Sequence, residues 1–337
     1  MKIVKNAVAD AFPESLSHPV LWRKIQRDNF TDWKKLLTFL ELPWDGPVLH
    51  HSKFPLNVPL RLAQKIVKGT WDDPLLHQFL PTVEEFKSSP LFVLDPVGDG
   101  AFRKQPKLLH KYHGRALLVC TSACAMHCRY CFRQHFDYET SDKLFEEELK
   151  EIARSPSISE ILLSGGDPLS LSDAQLQRLL DELGKIPHLK RIRFHTRFPM
   201  GIPERIDESF LQLLASCKKQ IIFLIHCNHP NEFDEEIWRR LKQVQLLGIP
   251  ILTQTVLLRK INDNVETLKN LFELLIDHGI LPYYLHQLDR VQGAVHFEVS
   301  EEEGKQLMSQ LGALLPGYAI PKYVRETPYL LSKTLIT

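Results

Sequence analysis

Three cysteines stand close together in Cys124-Ala-Met-His-Cys128-Arg-Tyr-Cys131-Phe-Arg133, spaced C-x3-C-x2-C just after an apolar run, Ala116 to Val119, that reads as a buried strand. Iron-sulfur clusters take one thiolate per iron, so three on one short loop can hold three irons of a four-iron cube and leave the fourth open. The competing chemistry is a closed zinc knuckle completed by His127 or His135. Structural zinc sites pair C-x2-C with a second, separated pair of ligands, and none follows here. Three unligated core cysteines are the remaining reading, which requires the spacing to be a coincidence.

Further polar residues collect at the C-terminal ends of strand-like runs, where α/β folds place their sites. Ser164-Gly165-Gly166-Asp167 follows the second run. Paired glycines let backbone approach a ligand closely, and the loop amides can donate to it; the alternative is an ordinary tight turn. The third run ends in His195-Thr-Arg197, the fourth in His226-Cys-Asn228-His229, and the fifth contains Gln254. Any one of these histidines could equally be a hydrogen-bonded structural residue. Near the end stands Glu326-Thr-Pro-Tyr-Leu-Leu-Ser-Lys333. A partly desolvated lysine amine condenses with aldehydes, although a lysine near a chain end is ordinarily a solvated charge.

The elements that must position these groups alternate in type from Arg115 onward. Ala116 to Cys120, Ile161 to Leu163, Arg191 to Phe194, Ile221 to Ile225, Ile251 to Leu258 and Pro282 to Leu285 read as short strands. Lys143 to Ala153, Asp173 to Leu183, Asp207 to Cys217, Asp234 to Leu247, Val265 to His278 and Glu301 to Leu314 read as helices. Ser172 with Gln175 and Ser300 with Glu303 supply capping boxes. Such alternation implies parallel βαβ units with right-handed crossovers. Six units fall short of a closed (β/α)8 barrel, so the pattern alone fits an open sheet or a partial barrel.

Upstream, Thr31-Asp32 can cap a helix carrying Trp33, Leu36, Leu37 and Leu40 that stops at Pro43. A second helix starts at Pro59 and runs through Leu60, Ala63, Ile66 and Val67 to Gly69. The apolar stripes of both suit burial within the same protein. Pro and polar breakers fill Trp71 to Gly100. We therefore divide the chain into a mostly helical N-terminal region, residues 1–104, that wraps back onto a catalytic core, residues 105–337.

Among 337 residues, 42 Lys and Arg face 41 Asp and Glu for a net charge of +1, which gives no general attraction to nucleic acid or to an acidic membrane. Cys120, Cys217 and Cys227 sit in apolar contexts, which suits a reducing cytoplasm. Met1 to Phe12 lacks the pattern of a secretory signal, and no apolar run approaches the ~20 residues that span a bilayer.

The C-x3-C-x2-C loop with Tyr130 before its last cysteine resembles the signature of radical S-adenosylmethionine enzymes. With Leu109-His-Lys-Tyr-His-Gly-Arg115 upstream and Cys131-Phe-Arg133 downstream, the chain from about Asp72 resembles the lysine 2,3-aminomutase family, and within it the short bacterial branch that supplies β-lysine for elongation factor P. The resemblance implies a partial (βα)6 TIM-like barrel. It implies a 4Fe-4S cluster on Cys124, Cys128 and Cys131, S-adenosylmethionine at the open iron, and pyridoxal phosphate on Lys333. Ser164, Gly165, Gly166, Asp167, Arg197, His226 and Gln254 then contact S-adenosylmethionine, while Lys111, Tyr112 and Arg115 match the phosphate side of the second cofactor. Asp289 and Glu326 match the acids that hold the distal ammonium of lysine, and Arg133 matches the partner of its carboxylate. Glu326 replaces a usual aspartate, Tyr329-Leu330-Leu331 replaces a glycine-rich run, and Leu335 replaces a proline.

The activity implied is conversion of L-α-lysine to β-lysine by radical migration of the amino group, with an electron donor, the elongation factor P lysyl-ligase and elongation factor P as partners. The longer family members carry a cysteine-rich extension that binds zinc, paired with a cysteine where Asn264 stands, so this chain is expected to lack that zinc and to form a monomer or small assembly. Two alternatives remain open on the sequence: a radical S-adenosylmethionine enzyme without pyridoxal phosphate, and a non-catalytic iron-sulfur protein.

Overall fold

The structure is a computed structural model that describes residues 21–50, 52–138 and 145–337. One sheet carries β1 (Arg103–Gln105), β2 (Leu108–Tyr112), β3 (Arg115–Thr121), β4 (Glu160–Gly165), β5 (Arg191–Thr196), β6 (Gln220–His226), β7 (Ile251–Val256), β8 (Leu281–His286), β9 (Lys322–Arg325) and β10 (Thr334–Leu335). Spatial order follows chain order. The strands from β3 to β9 pair in parallel, while β1, β2 and β10 are antiparallel additions. Because β1 and β10 end the order, the sheet stays unclosed, and its parallel part is the expected partial barrel.

All six expected strands are present as β3 to β8, because a strand covered on both faces must be a nearly continuous apolar run and so announces itself. β7 stops at Val256, short of Leu258, since Leu257 turns to donate its amide to His286 and Leu258 donates to Asn262. The helices Glu146–Arg154, Asp173–Lys185, Glu208–Ser216, Glu235–Leu246, Val265–Asp277 and Glu301–Leu314 pack around them. Both capping boxes form. The expected helix start at Lys143 and the reading of Met1 to Phe12 lie outside the described residues.

The sequence pattern did not reveal the β1–β2 hairpin, β9 or β10, which are short and partly polar. In the N-terminal region the helices are Leu21–Arg27, Trp33–Phe39, Leu60–Lys65 and Pro74–Phe79. Asp32 caps the second as expected. The third ends at Lys65 instead of Gly69 because the carboxylate of Asp73 takes the Val67 amide at 3.0 Å while also capping Leu75 and Leu76. The change from helix to strand near residue 104 does not divide the core. One apolar cluster runs from Leu36 and Phe79 through Leu118 to Phe223. Among the described residues no helix is long and apolar enough to cross a membrane.

Arg129 fastens the two parts. Its guanidinium, 1% exposed, forks onto Glu85 at 2.7 and 2.6 Å and donates to the Phe54 carbonyl and the Ser52 hydroxyl. Replacing it leaves a buried carboxylate without a partner, so Arg129→Met is expected to cost on the order of 3 to 5 kcal/mol. The check is the urea unfolding midpoint, which should fall; an unchanged midpoint would remove Arg129 as the fastening.

Candidate active site

Every expected site residue lines one cavity of about 510 Å3, which suits ligands of cofactor size. The cysteine loop forms one end and the C-terminal hairpin the other. No regular secondary structure holds the cysteine loop, so its backbone groups need partners from elsewhere. Asn29 donates to the Ala125 carbonyl at 2.8 Å, and Gln26 and Asn57 donate to that of Cys124. The amides of His127 and Arg129 donate to Asn57 and Gln78.

On the inner side the loop lies against the paired glycines. A Cβ on Gly166 would sit 2.3 Å from the Ala123 carbonyl oxygen, and Gly165, at φ +114°, would bring one to 2.7 Å from that of Thr121. The amides of Gly166 and Asp167 donate to Thr121 and Ala123 at 2.6 and 2.8 Å. The close approach read from the sequence is therefore real, and these two amides bind the backbone at Thr121 and Ala123. Asp167 is likewise occupied. Its carboxylate accepts from Thr196 Oγ1 and from the amides of Leu169, Arg197 and Phe198, and burial pushes it up to about 6 against those bonds. It braces the loop after β4 to the end of β5.

The three thiols are free of disulfides and face the cavity. Burial first, then neighbouring charge, raises Cys124 well above the usual thiol range and Cys131 to about 11, so a cation is needed to draw off their protons. The His127 ring stacks on Phe54, and its Nδ1 meets the Pro55 carbonyl at 2.8 Å. His135 Nε2 lies 3.1 Å from the Gln292 carbonyl. Among the described residues no three His, Cys, Asp or Glu side chains converge on a single ion. Thiolates spread over separate irons of a cube need no such convergence, so the donor set fits a cluster.

Along the wall, Nε2 of His195, His226 and His286 are buried without hydrogen-bond partners. Burial, then the Arg197 and Arg133 charges, lowers His226 to about 4, so it is neutral and able to donate or accept. His286 and His195 were not among the expected site residues. Their only signal was a histidine at a strand end, shared with His226. Gln254 pairs in register with His226 across β6 and β7. Arg133, expected to meet the lysine carboxylate, donates from Nε to Asp99 at 2.8 Å and from Nη1 to Ser164 at 3.4 Å. Asp99 carried no sequence signal. Nη2 makes no hydrogen bond among the described residues.

At the far end, β9 and β10 form a hairpin that brings Lys333 back beside Glu326. Lys333 Nζ donates to Glu326 Oε2 at 2.5 Å, Lys111 Nζ to Oε1 at 2.6 Å, and the Tyr112 hydroxyl to Oε1 as well. Burial pushes Glu326 up, but the Lys333 charge and these hydrogen bonds outweigh it and hold the carboxyl at about 2. Glu326 therefore pairs with the protein's own lysines, and Lys111 is spoken for by Glu326 and the Val97 and Thr327 carbonyls. The Arg115 guanidinium stacks on Tyr112 at 4.5 Å and makes no hydrogen bond among the described residues, so it is a cation available to a phosphate. Lys333, Arg115 and Tyr112 thus fit an aldehyde cofactor with a phosphate tail. Tyr329 takes φ +65° in the hairpin loop, a glycine-like conformation held without glycine.

Asp289, by contrast, opens on the cavity and makes no side-chain hydrogen bond among the described residues. Enclosure pushes it up to about 7, with Lys333 opposing and Glu326 and Asp99 reinforcing. Such an acid is poised to accept a cation.

Residues 118–280 match the family model of the radical SAM superfamily. The chain is 42% identical over 320 residues to the L-lysine 2,3-aminomutase of Escherichia coli K12, covering 93% of each chain. It is 40% identical to that of Haemophilus influenzae, covering 93% of this chain and 95% of the other. The likeness therefore begins before Asp72, where the sequence reading placed it. The relative named L-lysine 2,3-aminomutase from Clostridium subterminale is 33% identical over 76% of this chain and 62% of its own.

Replacing Cys124, Cys128 or Cys131 by Ala is expected to abolish bound iron, and Gly166→Ala to reduce it by displacing the loop; Cys217→Ala should hold iron as the native protein does. Iron and sulfide analysis after anaerobic reconstitution checks this, and equal loss from Cys217→Ala would refute the ligand assignment.

Proposed function

The chain belongs to the L-lysine 2,3-aminomutase family within the radical SAM superfamily, and from that premise we propose that it moves the amino group of L-lysine from C2 to C3, with a 4Fe-4S cluster, S-adenosylmethionine and pyridoxal phosphate as cofactors. The observation that carries the reading is the unpartnered carboxyl of Asp289, set in the same cavity as the three thiols and Lys333. The ammonium of a lysine side chain can enter a closed cavity only against opposite charge, and Asp289 is the acid left over for it.

When bound, S-adenosylmethionine supplies the radical that removes a hydrogen atom, and pyridoxal phosphate supplies the conjugated ring across which nitrogen can migrate. The chain's own residues bind and orient. Cys124, Cys128 and Cys131 hold the cluster. The free edge of Arg133 suits the lysine carboxylate, with Asp99 and Ser164 fixing the plane of its guanidinium. Lys333 holds pyridoxal phosphate covalently and Arg115 its phosphate. Glu326, pinned by Lys111 and Tyr112, keeps the Lys333 amine directed into the cavity. His195, His226 and His286 present neutral nitrogens that can hydrogen-bond a ligand without adding charge beside the cations already there.

The context of the cysteine loop supports the wider proposal that the β-lysine is made for elongation factor P and passed to its lysyl-ligase, with a cytoplasmic electron donor. Six free cysteines agree with a reducing compartment.

Lys333→Ala should keep its iron and lose the borohydride-reducible linkage to pyridoxal phosphate; an adduct mapped to Lys111 instead would overturn the assignment. For the substrate end, Asp289→Asn should lower kcat/KM for lysine about a hundredfold, the equivalent of roughly 3 kcal/mol. Only the ionised carboxyl pairs with ammonium. Because Asp289 titrates near 7, native affinity for lysine should be level above that pH and fall about tenfold per unit below it. Glu326, held at about 2, adds no dependence in that range. Asp289→Asn should flatten the profile, and a persistent fall would place the ammonium elsewhere.

A further inference from the structure

Arg197 stands at the end of β5, where the expected role was contact with S-adenosylmethionine. Its guanidinium meets four protein groups, and its Nε is buried with no partner among the described residues. Nη2 donates to Glu232 Oε2 at 2.9 Å and to Gln78 Oε1 at 2.6 Å, and Nη1 donates to the Tyr130 hydroxyl. The remaining bond runs from Nη1 to Cys128 Sγ at 2.8 Å. Glu232 is fully buried and accepts from the amides of Asn228 and His229, while Asn228 Nδ2 bridges to Gln78 and Tyr130. Arg197 is itself 6% exposed, so solvent hardly screens this pair from the sulfur. Among the described residues no side chain donates a hydrogen bond to Cys124 or Cys131 sulfur. The three ligands are therefore unequal.

We propose that Arg197 is a positioning residue that sets the reduction potential of the cluster through its N–H···S bond to Cys128, with the buried carboxylate of Glu232 holding that influence in check. The proposal rests on the three cysteines being cluster ligands. Donors to cluster sulfurs and nearby positive charge stabilise the reduced, more negative state, and outer-shell partners of this kind tune the metal without touching substrate. An arginine suits the task because its fixed fork can hold Glu232 and the thiolate at once, which a lysine ammonium cannot do with the same geometry. The arrangement reaches across the molecule, since Gln78 comes from the Pro74–Phe79 helix.

The test is a spectroscopic redox titration of the anaerobically reconstituted holoenzyme without substrate. Arg197→Gln, iron-replete, should show at least a tenfold fall in the ratio of reduced to oxidised cluster at the native midpoint, a shift of about 59 mV to more negative potential for one electron. Arg197→Lys should recover part of that shift. Glu232→Gln, which removes the opposing charge and leaves the guanidinium, should move the midpoint the other way. If Arg197→Gln does not retain iron, the sign of the Glu232→Gln shift decides. Iron-replete variants with the native midpoint, or shifts of the same sign on removing either charge, would overturn the proposal. Absence of any reducible cluster in the native protein would instead sink the ligand assignment beneath it.

Discussion

A loop without regular secondary structure satisfies little of its own backbone, and the stretch from Ser122 to Arg133 is shaped largely from outside. The rest of the architecture follows from that constraint. On one side the paired glycines after β4 accept the loop at distances that exclude any side chain. On the other, side-chain carboxamides of the N-terminal region donate to its carbonyls, and backbone carbonyls there accept from its amides. Arg129 then locks the two bodies together with a buried fork onto Glu85. The N-terminal region is thus part of the site's construction, which explains why one apolar core passes through both segments.

Charge is distributed along the cavity with similar economy. Among the described residues five cations line it, Lys111, Arg115, Arg133, Arg197 and Lys333, and the acids among them have separate tasks. Glu326 and Asp99 are consumed by protein cations, which fixes where those cations point. Among the described residues Asp289 is left without a side-chain partner, and enclosure raises it, the state of an acid awaiting a cation. A substrate bearing a carboxylate at one end and an ammonium at the other meets matching groups at Arg133 and Asp289.

The barrel was legible because buried parallel strands are apolar runs and their helices carry capping residues, as Ser172 and Ser300 do. The cysteine spacing and the Lys333 segment were legible as chemistry. The short strands were not, since Thr334 and Leu335 have no periodicity to read. Nor could the sequence say which partner a polar group would meet. Gly166 and Arg197 line the cavity as expected of ligand contacts, yet the close approach of Gly166 to the cysteine loop and the bond from Arg197 to Cys128 had no local signal. Asp99, Gln78 and Asn57 find their partners far along the chain, so no local pattern marked them.

The central claim is that one cavity brings a cluster at one end and an aldehyde-binding Lys333 at the other onto a single substrate lysine. The direct measurement is anaerobic turnover of L-lysine deuterated at C3 by the reconstituted, reduced protein, with mass analysis of both 5′-deoxyadenosine and the amino-acid product. The account predicts deuterium in the 5′-deoxyadenosine and β-lysine as the product. Formation of 5′-deoxyadenosine without deuterium, with the lysine recovered unchanged, would contradict it.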